Sequence, residues 1–252
     1  MRLNAIRRGF LLDENVTPQA LKDLTGTRCP VSLQNFDFKK PGSPNNPSVD
    51  RIINDGTYAL GNLLVVTQRV NRAKGDRSFH EVLEIAQRGN DAFGLRSSEW
   101  TRLCALMYGA WTSLNGGEDC YLIPLATYLP RYAFFPTSHA VQLLLLESLE
   151  ARYREDAFEY WKAVTVEACG TASLFIELHT ALSHATETED HWPSVWLRKD
   201  VFNTFAAWYI PCRDSVNRAV EPSLRRQQAS YNLGATLAAW KVGELSRRES
   251  PN

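Results

Sequence analysis

Between Val49 and Val82, short apolar runs are separated by asparagines, glycines and charges at spacings that leave the backbone few options. Val49, Ile52 and Ile53 are β-branched, which predicts a short strand over Val49–Ile53. Asn54-Asp55-Gly56 follows and reads as a turn, because Asn and Gly tolerate positive φ. Leu63–Val66 is the second strand candidate. Thr67 is placed to cap a helix from Gln68 to Lys74, which Gly75 breaks. Ser78 and Glu81 stand at capping-box spacing before a second helix, whose Phe79, Val82, Leu83 and Ala86 share a face. Gly89 ends it. The order is strand, turn and loop, strand, helix, helix.

Upstream, Thr17-Pro18 reads as an N-cap followed by proline at the first helical position, with a helix to Leu24. Residues 1–16 read as loop or arm, and Cys29-Pro30-Val31-Ser32 as a turn or short extended piece. Pro41, Gly42, Pro44, Asn45 and Asn46 make residues 39–47 a polar, mobile loop. From Ser97 onward the pattern is helical. Trp100, Leu103, Cys104, Met107 and Trp111 recur at three- and four-residue spacing after a cap at Ser97 or Ser98, and Gly116-Gly117 ends the segment. Further apolar segments cover Cys120–Leu129, Val141 to Tyr153, Ala157–Ala168, Ala172–Ala185, Val201–Tyr209 and Ser223–Leu245. Pro130, Pro193, Pro211 and Pro222 punctuate them. The expected division lies near Gly89–Ser98. It gives a strand-and-helix unit over residues 1–92 and a helical bundle over residues 97–252 that buries a core. The fold class is α+β, rich in helix.

The chain has no net charge, but residues 1–90 carry 13 Lys and Arg against 9 Asp and Glu, so the excess of positive charge lies with the strands. That weakly favours a polyanionic partner there. Five cysteines with no Cys-x-x-Cys spacing read as reduced thiols of a cytoplasmic protein, most of them buried, and leave no cysteine-based zinc knuckle. The basic Met1–Phe10 lacks the apolar core of a signal peptide, and Leu143–Leu146 is far too short to cross a bilayer.

Asp50 ends the first strand with a carboxylate, and Asn71 places an amide oxygen on the helix expected behind the hairpin. Both are hard oxygen donors suited to Mg2+ or Mn2+. Two such donors leave positions for water and phosphate oxygens, as metal-assisted phosphodiester hydrolysis requires. Asn62 follows Gly61 and can hold the loop through side-chain-to-backbone bonds. Arg69, Arg72, Lys74 and Arg77 would be a solvated face on an ordinary helix; beside a metal site they read as phosphate contacts.

Asp50-Arg51, Gly61-Asn62-Leu63 and Asn71-Arg72-Ala73-Lys74 together resemble the motif positions of the HNH (His-Me finger, ββα-metal) nucleases. The likeness covers about residues 25–90, and its pieces are specific only in combination. It implies an N-terminal ββα-metal finger followed by a predominantly α-helical C-terminal domain. It further implies a divalent-metal-dependent endonuclease acting on nucleic acid, with DNA favoured over RNA. Asp50 and Asn71 would hold Mg2+ or Mn2+, Asn62 would order the loop, and Arg51 would contact phosphate. No structural zinc is expected, because Cys29 lacks partner cysteines.

Arg51 is where the sequence departs from that family, which carries its general-base histidine there. A guanidinium, with a pKa above about 12, cannot accept a proton near neutrality. Three readings follow. Arg51 clamps the phosphate while metal-bound hydroxide attacks; His80 supplies the base; or the finger is catalytically inactive and serves as a nucleic-acid-binding or adaptor module. In the second part, His184 and His191 with Glu187, Glu189 and Asp190 between them read as an exposed acidic loop rather than a metal site. The helical domain is a candidate surface for a protein partner or self-association. No membrane partner is expected.

Overall fold

The computed structural model describes residues 12–115, 119–134, 136–150 and 154–230, with side chains up to Pro222 and at Leu224. The Met1–Phe10 arm, Gly116-Gly117, Tyr153, the side chains of Arg225 and Arg226, and the segment after residue 230 with Arg247 and Arg248 lie outside the described residues. The fold is α+β, with helix predominating over one small sheet. The described chain divides into two units, residues 12–115 with 129–134, and residues 119–128 with 136–227.

In the first unit, α1 (Pro18–Leu24) starts where the Thr17 hydroxyl accepts the Ala20 N–H at 3.1 Å. Strands β1 (Pro47–Arg51) and β2 (Leu63–Thr67) pair antiparallel, with Asp50 opposite Leu64 and Arg51 opposite Leu63. All five β2 residues are buried, whereas β1 is half-buried. Thr67 is both the last residue of β2 and the N-cap of α2 (Gln68–Lys74), its hydroxyl accepting the Val70 N–H at 3.4 Å. No linker separates strand from helix, so α2 folds back onto both strands. The loop over residues 39–47 is tied across itself: Asn46 Nδ2 donates to the carbonyls of Asp37 (2.6 Å) and Lys40 (2.8 Å).

Ser78 and Glu81 form the expected capping box of α3 (Phe79–Arg88), and Gly89 ends it in the left-handed conformation. Helix α4 (Ser97–Leu114) packs on α3, with Phe79 stacked on Tyr108 and Trp111 at 5.6 and 4.8 Å. That packing keeps α4 in the first unit, so the division falls after residue 118 rather than at Gly89–Ser98. The N-cap position of α4 is Arg96, not Ser97 or Ser98, because Glu99 turns back to accept the Arg96 N–H at 2.8 Å.

The second unit holds α5 (Thr137–Glu147), α6 (Arg154–Cys169), α7 (Ser173–Thr186), a 3-10 turn (Trp192–Leu197) and α8 (Lys199–Ser230) up to residue 227. Its core is aromatic: Trp161, Phe175, Trp196, Phe205 and Trp208 are all buried. Two expectations fail here. Pro211 and Pro222 lie inside α8 and do not end it; each costs one backbone donor, and around Pro211 the buried Trp208, Tyr209, Cys212 and Val216 keep the helix continuous. Residues 119–128 are apolar but not helical. Gln142 of α5 holds that segment instead, accepting the Leu125 N–H at 2.7 Å and donating to the Ile123 carbonyl at 2.9 Å. Side-chain partners thus satisfy backbone groups that a helix would have satisfied internally. No helix among the described residues is long and apolar enough to cross a membrane.

Candidate functional site

Helix α2 packs on β1 through two polar side chains. Asn71 Nδ2 donates to Ser48 Oγ at 2.7 Å, while no hydrogen bond to its Oδ1 is found among the described residues. One turn on, Lys74 is completely buried. Its ammonium donates to the Arg51 carbonyl (2.8 Å) and to Asn54 Oδ1 (2.8 Å), and pairs with Asp50 Oδ2 at 3.2 Å. An ammonium has three protons, and three oxygens take them. Lys74 is therefore not a surface cation; it bolts the helix to the end of β1 and cannot reach a phosphate without leaving that socket.

The Asp50 side chain is only 11 % exposed. Burial pushes its pKa above the ordinary carboxylate value, and the Lys74 ammonium and the Arg51 backbone N–H oppose that rise without cancelling it. A carboxylate that remains under-compensated beside a lysine still has charge to offer a second cation. With the amide oxygen of Asn71 on the adjoining helix, the donor types fit Mg2+ or Mn2+.

Asn62 is wholly buried and closes the loop between the strands. Its Oδ1 accepts the Ile53 N–H at 2.7 Å, and its Nδ2 donates to the carbonyls of Thr57 (2.9 Å) and Ile53 (3.2 Å). Gly61 precedes it at φ +84°, and a Cβ there would stand 2.6 Å from the Phe134 ring. Both the backbone angle and the space require glycine.

Arg51 donates to the Gly56 carbonyl at 3.1 Å and lies over the Tyr58 ring. It lines a cleft of about 350 Å3 together with Asn54, Asp55, Asp76, Arg77, His80 and Trp111. His80 is exposed, with its ring edge-on to Trp111 at 5.3 Å. The structure thus brings together two residues that the sequence connects only as alternatives.

The remaining basic residues divide. Arg69 pairs through both terminal nitrogens with Glu99 and donates to the Gly94 carbonyl at 2.7 Å. Glu99 is fully buried; burial would raise its pKa, but the Arg69 guanidinium and the Arg96 backbone N–H hold it below the ordinary value. Arg77 donates to the Ala73 carbonyl at 2.8 Å and covers the Phe93 ring at 4.0 Å. Arg72 is exposed and bonds only Gln68 among the described residues. Arg69, Arg72 and Arg77 line a second cleft of about 440 Å3 with Pro44, Ala73 and Phe93, and Arg77 borders both clefts. In the sequence Asn54 reads only as a turn residue, and Glu99 carries no assigned role. For Glu99 a signal exists, the capping-box spacing Arg96-x-x-Glu99; for Asn54 none does, because its partner Lys74 is twenty residues away.

No family model matches this chain, and no curated protein or solved structure does either. The functional reading therefore rests on the site. Among the described residues, no group of three His, Cys, Asp or Glu side chains is placed to hold a metal ion. His191 instead hydrogen-bonds Ser194 Oγ at 2.9 Å. The Asp50 and Asn71 pair is a different kind of donor set, one carboxylate and one amide.

Proposed function

We propose that the first unit carries a divalent-metal-dependent endonuclease site of HNH type, which hydrolyses nucleic-acid phosphodiester bonds and prefers DNA to RNA. The observation that supports it best is the under-compensated Asp50 carboxylate at the end of β1, next to a helix pinned to that strand through Asn71 and Lys74. A bound Mg2+ or Mn2+ would supply Lewis-acid charge at a phosphate oxygen and acidify a water. Asp50 and Asn71 would hold that ion. Asn62 keeps the intervening loop in place. Arg51 offers its guanidinium to phosphate in the cleft it lines, and His80 brings an imidazole to the same cleft. Arg72 and Arg77 would position the backbone without reading bases. Plasmid DNA and single-stranded RNA incubated with Mg2+ or Mn2+ test the reading. Nicking is expected, abolished by Asp50→Asn and slowed by His80→Ala. Cutting that survives Asp50→Asn rules out this site.

A second reading is favoured by two specific observations. Arg51 cannot act as a base, and Lys74 already gives Asp50 a cation. Under it the unit binds nucleic acid without cutting. Salt-sensitive retention on DNA, with no nicking in any divalent metal and no loss of retention in Asp50→Asn, would select it.

A further inference from the structure

Along α6, Trp161, Thr165 and Cys169 recur every four residues and so lie on one face; along α8, Trp208 and Cys212 do the same. The two rows meet contact for contact. The Trp161 and Trp208 rings pack edge-on at 5.9 Å, Trp208 Nε1 donates to Thr165 Oγ1 at 2.8 Å, and the sulfurs of Cys169 and Cys212 stand 2.8 Å apart. Both are free thiols. Their adjacency belongs to the helix packing itself, set by buried Trp208 four residues before Cys212 and buried Trp161 eight residues before Cys169.

We propose that Cys169 and Cys212 form an oxidation site, which peroxide-class oxidants convert to a disulfide that staples the end of α6 to α8. The two sulfurs are not equivalent. Cys169 is half-buried in the last turn of α6, and Cys212 is 1 % exposed. Cys169 is therefore the sulfur an oxidant meets. Its thiolate attacks one peroxide oxygen, the O–O bond breaks, and hydroxide leaves, giving a sulfenic acid on Cys169. The Cys212 sulfur then attacks the Cys169 sulfur; the S–O bond breaks, and the departing hydroxide takes the Cys212 proton as water. Two thiols and one hydrogen peroxide yield one disulfide and two waters; the sulfur pair loses two electrons and the peroxide gains them. Burial pushes the Cys212 thiol up to about 12, so it stays protonated until its partner is oxidised, which fits the resolving role.

The other cysteines are placed differently. Cys29 and Cys104 are buried, and the Cys29 sulfur is taken up by the backbone N–H groups of Ser32 and Thr67. Cys120 is exposed. The staple would close a loop spanning a sequence separation of 43 residues and so restrict the unfolded chain.

The test uses the full chain carrying Cys120→Ser, which removes the exposed thiol that could link two molecules. The protein is exposed to hydrogen peroxide, its remaining thiols are alkylated under denaturing conditions, and it is digested without reductant for mass spectrometry. A cross-linked Cys169–Cys212 peptide pair is expected, with Cys29 and Cys104 recovered alkylated. The melting temperature should rise by about 5–10 °C and return on reduction. Recovery of both cysteines as alkylated thiols overturns the proposal, as does Cys169 sulfinic acid beside a free Cys212. A second measurement does not depend on the cross-link. In Cys212→Ala the Cys169 sulfenic acid has nothing to resolve it, so a dimedone adduct should accumulate at Cys169 several-fold above the level in the parent protein. Equal adduct in the two proteins also overturns it.

Discussion

Helix α2 holds a buried carboxylate near each end, and the two are compensated in opposite ways. At its start Arg69 grips Glu99 with both terminal nitrogens, and a backbone N–H completes the set. At its end Lys74 reaches Asp50 with one contact and spends its other two protons on the Arg51 carbonyl and Asn54. Both carboxylates are removed from water, yet Glu99 titrates below its ordinary value and Asp50 above it. The difference is the number and geometry of donors aimed at each group. A carboxylate whose partners outweigh its desolvation is a structural clamp; one whose partners fall short still gains from a further cation. On this ground Asp50, and not the more deeply buried Glu99, is the candidate functional group.

Removing Lys74 should have the largest effect. Lys74→Met keeps the volume and deletes the charge, leaving Asp50 buried without its cation. The loss in unfolding free energy should be about 3–5 kcal/mol at pH 8. It should shrink as the pH falls. Asp50 already has a raised folded-state pKa, and loss of the ammonium raises it further. A raised folded pKa contributes stability below the unfolded value, and that contribution disappears as pH rises through the folded value. Urea unfolding at pH 5 and pH 8 reads the difference. An equal loss at both pH values would mean that the lysine and the aspartate are not coupled.

Glu99→Gln should cost less, about 2–3 kcal/mol at pH 7, because Arg69 is 32 % exposed and retains both an amide acceptor and water. This loss also depends on pH, through the carboxylate that the substitution removes rather than through a neighbour's. Glu99 has a lowered folded-state pKa, so its contribution is complete above the unfolded glutamate value and is lost as pH falls through the folded one. The wild-type advantage should therefore narrow toward acid. If the Glu99→Gln loss is unchanged between pH 7 and pH 3, Glu99 is not held below its ordinary value and the contrast between the two ends of α2 is wrong.

Asn62→Ala should follow at about 2 kcal/mol, since the Ile53 N–H and the carbonyls of Ile53 and Thr57 lose a buried partner. The damage should be one-sided. Asn54, which helps hold Lys74, sits in the loop that Asn62 closes, whereas the Arg69–Glu99 clamp does not touch it. Amide hydrogen exchange is expected to rise over residues 51–57 and to stay unchanged over residues 94–100.

What the sequence revealed follows the range of each interaction. The caps at Thr17, Thr67 and Ser78 are satisfied within three residues, and their helices begin where those side chains predict. The alternation of strand, turn and strand is equally local. Lys74 reads as a surface cation because its partners Asp50, Arg51 and Asn54 lie more than a turn of chain away, and only the folded hairpin brings them around its ammonium. The Cys120–Leu129 segment departs from the helical expectation for the same reason: its apolar pattern is real, but Gln142 from α5 supplies hydrogen bonds that no local rule anticipates. Pro211 of α8 shows the converse, where a strong local signal yields to burial on both sides. Of the candidate site, then, Asp50, Asn62 and Asn71 could be picked out as types at spacings, while the state of Asp50 depends on Lys74 and had no linear signature.

The smallest expected effect separates the two carboxylates most directly. If Asp50 retains charge for a divalent ion and Glu99 does not, Mn2+ should stabilise the folded protein through Asp50 alone. At tenfold excess over its dissociation constant, one bound ion contributes about 1.4 kcal/mol, or a melting-temperature rise of about 3–5 °C. Glu99→Gln should keep that rise even though it starts from a lower melting temperature, because its carboxylate is already consumed by Arg69. Asp50→Asn should lose it, because an amide in that place cannot pay for dehydrating the ion as a carboxylate does. Lys74→Met then becomes the decisive third protein. If the ammonium competes with the metal for Asp50, its removal should increase the Mn2+ shift above that of the wild type. If the ammonium instead holds β1 and α2 in the geometry that presents Asp50 and Asn71 together, the shift should vanish with it. A shift that persists in Asp50→Asn would move the metal elsewhere and remove the distinction between the two ends of α2.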